Sequence, residues 1–206
     1  MTSPSPLCYG QYYHIYNRGN NRENIFVEER NYRHFLKLYV KYVEPVADTY
    51  AYCLLRNHFH FLVRIKMVAE QEQTLRVSKT PRVSEPLHPS RQFGNLFNAY
   101  AKAINKAYQR TGSLFQNPFG RIEVQSDAHF TCLITYIHYN PQKHGFVADF
   151  ADWPYSSYHA ILSSKPTRVK RDEVLAWFDG PKGFWSLHRQ AVDETPIAPL
   201  IVDDFD

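Results

Sequence analysis

This sequence predicts an α+β fold built on an antiparallel sheet, and three observations carry that prediction. Four short runs rich in Tyr, Ile, Val and Phe read as strands, at residues 10–18, 47–55, 58–66 and 121–125. Three longer segments, at 28–44, 93–110 and 127–139, place apolar residues at three- and four-residue steps and read as helices. Their order is strand, helix, strand, strand, helix, strand, helix. That is the order of a ferredoxin-like antiparallel sheet with helices packed on one face.

Each element has a local reason. The first strand (GQYYHIYNR) runs into a turn at Gly19, Asn20 and Asn21. Phe35, Leu38, Tyr39 and Tyr42 give the first helix its apolar stripe, and Pro45 stops it. Residues 47–55 and 58–66 form a hairpin about Arg56 and Asn57. Residues 68–90 are polar, contain Pro81, Pro86 and Pro89, lack sustained periodicity, and read as a loop or insertion. Phe93, Leu96, Phe97, Tyr100, Ile104 and Tyr108 define the second helix, and Gly112 follows as a stop. Ser126 suits the cap of the third, whose continuation Asn140-Pro141 should limit. Beyond Gly145, residues 155–162 and 172–178 read as short helices. The division expected is a domain over 1–150 with an insertion at about 67–90, then a C-terminal extension over 151–206.

Composition excludes several classes. No apolar run approaches the ~18 residues of a membrane-spanning helix. The first residues lack a basic segment followed by an apolar core, so no secretory signal is read there. Cys8, Cys53 and Cys132 are far apart and form no paired motif, which argues against a disulfide framework and suits a soluble cytoplasmic protein. The net charge of +4 conceals an asymmetry. The last 16 residues hold five acids and no Lys or Arg, leaving 24 basic against 15 acidic residues, a net +9, in residues 1–190. A body so basic, with 15 Tyr and 14 Phe, suits a polyanion such as single-stranded nucleic acid. An ordinary solvated basic surface has the same composition.

Two short patterns carry chemistry. In His58-Phe59-His60 the two imidazoles project to one face of a strand, while Phe59, Phe61 and Val63 project to the other. Neighbouring imidazoles can share a divalent ion, although alternation on a solvent face would also place them so. In TYIHYNPQKHG, Tyr136 and Asn140 lie one helical turn apart. If that helix packs beside the histidine strand, Asn140 can complete a metal site and bring Tyr136 next to it, where a phenol could attack a phosphodiester. Taken alone, Tyr136 is one of fifteen tyrosines with a core or surface role open to it. His138, two residues on, should point away from the nucleophile.

The two patterns in this order, about 75 residues apart, resemble the single-tyrosine HUH transposases of insertion-sequence type, and most closely their REP-associated tyrosine transposase branch. HIYNRG resembles the family's first strand, NHFHFLVRI its metal-binding strand, NAYAKAINKAYQRTGSLFQNPFGR its long helix and following strand, and YIHYNP its catalytic helix. WPYSSY, at residues 153–158, is similar to a motif of this branch, so the resemblance spans about residues 9–160. It implies a metal-dependent (Mg²⁺ or Mn²⁺) endonuclease and strand transferase. Such an enzyme cuts single-stranded DNA at or near hairpins and keeps the bond energy as a 5′-phosphotyrosine. Carried over, Tyr136 becomes the nucleophile and His58, His60 and Asn140 the metal ligands. Asn140 stands where many insertion-sequence relatives have glutamine. Arg18, Arg121 and Lys143, in or beside matching motifs, become DNA phosphate contacts, ordinary surface charge being their other reading.

Relatives of this kind act as homodimers or monomers. Three alternatives remain open: a domesticated hairpin-DNA-binding protein without turnover, a hydrolase using His58, His60 and water, and an RNA-binding sheet that lacks that class's aromatic motif. The acidic C-terminus is expected to compete with DNA for the basic cleft.

Overall fold

The computed structural model describes residues 5–77, 86–190 and 192–201. Four antiparallel strands form one sheet: β1 (Tyr12–Arg18), β2 (Ala47–Leu54), β3 (His58–Ile65) and β4 (Gly120–Val124), in spatial order β2-β3-β1-β4. The fold is thus α+β, as the order of elements predicts. The β2–β3 hairpin turns at Leu55–Asn57, where Leu55 N–H donates to the His58 carbonyl.

Helices α1 (Glu29–Tyr42) and α3 (Pro89–Ala107) pack together under one face of the sheet. Phe35, Tyr39 and Phe97 meet Phe59 and Phe61 of β3 there, at ring separations of 4.5–6.3 Å. Such aromatic pairs add about 0.5–1.5 kcal/mol each beyond simple burial. Asn31 and Glu28 cap α1 reciprocally, and Pro89 opens α3 at a position where its missing N–H costs nothing.

Helix α4 (Asp127–Lys143) lies against the other face, on β2 and β3. The expectation of helices on one face is therefore wrong. That second face carries Cys53 and Leu62 as well as the histidines, and apolar groups there need cover as much as Phe59 and Phe61 do. Leu133, Ile134 and Ile137 of α4 are all fully buried, because the C-terminal segments wrap the helix's outer side.

Two further expectations are corrected. Asn140-Pro141 does not end α4, which runs to Lys143. Proline forfeits one backbone bond, but it stands in the last turn, and the carbonyls around it are used by His144, Gly145 and Phe146 N–H groups. Within the span read as a loop, Val68–Val77 forms helix α2, and residues 78–85 lie outside the described residues. No apolar stripe signals α2, because polar contacts hold it. Arg64 pairs with Glu70 at 2.7 Å, Glu70 accepts from Met67 N–H, and Lys66 Nζ donates to Thr74.

Beyond α4 come α5 (Tyr158–Leu162), α6 (Arg171–Trp177), α7 (Pro181–His188) and a 3-10 turn at Thr195–Leu200. Helix α7 is absent from the sequence reading, α5 lies within the first of the two short helices expected, and α6 overlaps the second, starting one residue earlier. The WPYSSY stretch binds this region to the free edge of β2. Trp153 Nε1 donates to the Leu54 carbonyl, Leu54 N–H to Tyr155, and Ser157 N–H to Tyr52. A strand edge that could otherwise recruit another chain is thereby covered.

Candidate active site

The sheet register sets the site. Across β1 and β3, His60 stands opposite Tyr16 and His58 opposite Arg18, so those four share one face with His14. Neither His58 nor His60 sits on a solvent face; both are buried beneath α4. Their ring centroids are 5.1 Å apart, and the Tyr136 ring lies 5.8 Å from His60, edge to face. The strand and helix patterns named from sequence are therefore brought together.

Asn140 is fully buried one turn beyond Tyr136. Its Nδ2 donates to the Tyr136 backbone carbonyl at 3.0 Å, which identifies the other amide atom as Oδ1. That oxygen has no hydrogen-bond partner, and such an atom is costly to bury. His58 Nδ1 lies 2.8 Å from Asn57 Oδ1; donating to that oxygen makes Nε2 the lone-pair nitrogen of the ring. Asn57, in the hairpin turn, was not singled out from sequence, although its place beside His-x-His was visible there. Among the described residues no group of three or more His, Cys, Asp or Glu forms a metal cluster. Two imidazoles with an orphaned amide oxygen nonetheless fit a divalent ion.

Lys143 follows Tyr136 on the same helix face, with its Nζ 5.0 Å above the Tyr136 ring. It is also bound to both carboxylate oxygens of Glu194, at 2.7 Å. His144 meets the His58 ring at 4.8 Å. Gly120 is required on the opposite strand: a Cβ there would fall 2.1 Å from the Tyr16 ring, which stacks beside His14 and His60.

Arg121 is not part of this cluster. It stands opposite Ile15, on the face of Phe61, where it bonds Ser90 at 2.9 Å and lies 3.8 Å over Phe119. Its Nε is buried without a hydrogen-bond partner, and burial pulls its pKa below the usual value. Together with Asn17, Asn98 and Lys102 it lines a cleft of about 660 Å³.

His138 turns away from Tyr136, as its two-residue offset predicts. It joins a buried relay in which Nε2 lies 2.7 Å from Ser157 Oγ and Nδ1 2.8 Å from His188 Nε2. His188 Nδ1 in turn donates to the Phe184 carbonyl at 2.7 Å.

Over 120 residues, 57% of its length, the chain is 30% identical to a Haemophilus influenzae protein named "Putative REP-associated tyrosine transposase". The match spans 62% of the relative's own length. In fold, the chain is similar to a REP-associated tyrosine transposase solved bound to a REP hairpin, with a TM-score of 0.58 and 16% identity. That similarity covers 81% of this chain and 88% of the other. No family model matches the chain. No helix of the described residues is long and apolar enough to cross a membrane.

Proposed function

We propose that this protein is a metal-dependent single-stranded DNA endonuclease and strand transferase of transposase type, acting at or near hairpins. The observation that carries the reading is the meeting of Tyr136 with the His58–His60 pair from two separate elements, with Asn140 Oδ1 buried and unbonded one helical turn from Tyr136. The similarity to REP-associated tyrosine transposases supports it. The strand order, with α1 and α3 crossing beneath the sheet, supports a ferredoxin-like reading of the fold.

His58, His60 and Asn140 would hold the metal, Mg²⁺ or Mn²⁺, which when bound polarises a phosphoryl oxygen and orients the leaving oxygen. The other steps belong to the chain's own groups. Tyr136 gives up its phenol proton and attacks phosphorus. An O–P bond forms, the bond to the 3′ oxygen breaks, and that oxygen takes up a proton to leave as a 3′-OH. The DNA remains joined through a 5′-phosphotyrosine, and attack by a 3′-OH reverses the sequence. A free phenol loses its proton near pH ~10, so the Lys143 ammonium beside the ring favours the phenolate. Arg18, on the histidine face, contacts DNA phosphate at the reacting strand. Arg121, in its cleft on the other face, does so farther along the DNA.

The test is incubation with labelled single-stranded hairpins and Mn²⁺ or Mg²⁺, followed by denaturing gels and mass mapping of the modified peptide. A covalent band that disappears with chelator and maps to the peptide containing Tyr136 is the result expected. Hairpin binding with no covalent band, across several hairpins, would favour the non-catalytic DNA-binding alternative.

Glu194 occupies Lys143, so the acidic C-terminus competes for a DNA-contacting cation. Glu194→Gln, which releases Lys143 while keeping the buried Ile197 and Leu200 in place, is expected to tighten hairpin binding by roughly tenfold at low salt. Fluorescence anisotropy measures this directly, and unchanged affinity would discard the competition.

A further inference from the structure

His14 lies at the centre of β1 and is buried beside His60. We propose that His14 is the positioning residue for His60. Through a relay of hydrogen bonds beginning at the Leu200 carbonyl, it holds the His60 ring in the Nδ1–H tautomer and so makes Nε2 the lone-pair nitrogen. The consequence for metal binding rests on the reading of His60 as a ligand; the relay itself rests on the protein atoms alone.

The direction of the relay follows from one fixed end. His14 Nδ1 is 2.6 Å from the Leu200 carbonyl oxygen, and a carbonyl can only accept, so Nδ1 carries a proton. In a neutral imidazole the other nitrogen must then be an acceptor. His14 Nε2 is 3.0 Å from His60 Nδ1, so His60 Nδ1 donates. The proton of His60 is thereby assigned to the nitrogen facing β1. The rings of His14 and His60 are nearly parallel, 21° apart with centroids 5.2 Å distant, and Tyr16 packs 5.1 Å from His14. His58 receives the same treatment from a different source, the Asn57 side chain at 2.8 Å.

Both histidines of the pair are thus held through Nδ1, one by a hairpin turn and one by a neighbouring strand. Partners of this kind fix the tautomer and orientation of a ligating imidazole and raise its basicity. The relay also reaches the C-terminal segment, since Leu200 lies in the 3-10 turn that packs on α4 and β4.

The experiment compares full-length wild type, His14→Phe and His14→Gln. Glutamine keeps an acceptor near the place of Nε2; phenylalanine keeps the ring shape and removes the acceptor. Long-range ¹H–¹⁵N spectra of the metal-free proteins report the His60 tautomer, and Mn²⁺ titration followed by electron paramagnetic resonance reports binding. The proposal expects His60 protonated on Nδ1 in wild type and His14→Gln, and a loss of that tautomer in His14→Phe. The Mn²⁺ dissociation constant should rise about 10–100-fold in His14→Phe and no more than about threefold in His14→Gln.

Three results would overturn it: His60 protonated on Nε2 in wild type, an unchanged tautomer and affinity in His14→Phe, or equal damage in both variants, which would make His14 a packing residue. Should wild type bind no Mn²⁺ while its tautomer behaves as expected, the relay stands and the reading of His60 as a ligand falls.

Discussion

Tyr136→Phe is expected to bind hairpin DNA as the unaltered chain does and to form no covalent adduct with it. The substitution deletes one oxygen from a buried ring and leaves the ring's contacts with His60 and the Lys143 ammonium in place, so folding should be conserved. Removing a nucleophile costs strand cleavage on the order of 10³-fold or more, because binding and electrostatic stabilisation cannot replace the missing bond. A water-using hydrolase built on His58 and His60 would behave differently and keep most of its cleavage. Quantifying cleaved strand and protein-linked strand on the same denaturing gel separates the two. Cleavage that survives in Tyr136→Phe would assign the nucleophile elsewhere.

The second large effect is loss of stability in acid. Burial holds the His188 pKa down to about 4, with the Phe184 carbonyl opposing that shift and the Arg189 charge adding to it. His138, His159, Arg189 and Tyr158 surround the relay, and His138 is likewise held well below its usual value by burial and then by His188. The unfolded chain takes up a proton at His188 near pH ~6.5, whereas the folded chain resists until near 4. Below the unfolded value, therefore, the unfolded state binds more protons and gains on the folded state. Stability is fully present above pH ~6.5 and falls as pH drops towards 4, by about 3 kcal/mol from this group, a sizeable part of the roughly 5–15 kcal/mol typical of a domain. Urea unfolding at several pH values should show that slope, and His188→Gln should flatten it between pH 6.5 and 4. A wild-type stability independent of pH across that window would refute the assignment.

Much of the fold was legible because it depends on period. Alternation in residues 58–65 and the three- and four-residue steps of 93–108 are local properties, and they place strands and helices to within a few residues. The candidate site was half legible for the same reason. A spacing of two puts His58 and His60 on one face, and a spacing of four puts Tyr136 and Asn140 together, whatever the rest of the chain does. Element α2 was missed because its order comes from Arg64, Lys66 and Glu70, charges whose pairing leaves no periodic trace.

The division between sequence and tertiary structure is thus one of range. Contacts within a strand or a helical turn are set by chain geometry, and they pair His58 with His60 and Tyr136 with Asn140; the choice of those four as a site came from the resemblance. Contacts across 46, 51 and 186 residues, His14 to His60, Lys143 to Glu194 and His14 to Leu200, arise only from sheet register and from where the C-terminal turn docks. Register likewise separated Arg18 from Arg121. Strands alternate faces, and the pairing of β1 with β3 and β4 decides which side each arginine shares with the histidines.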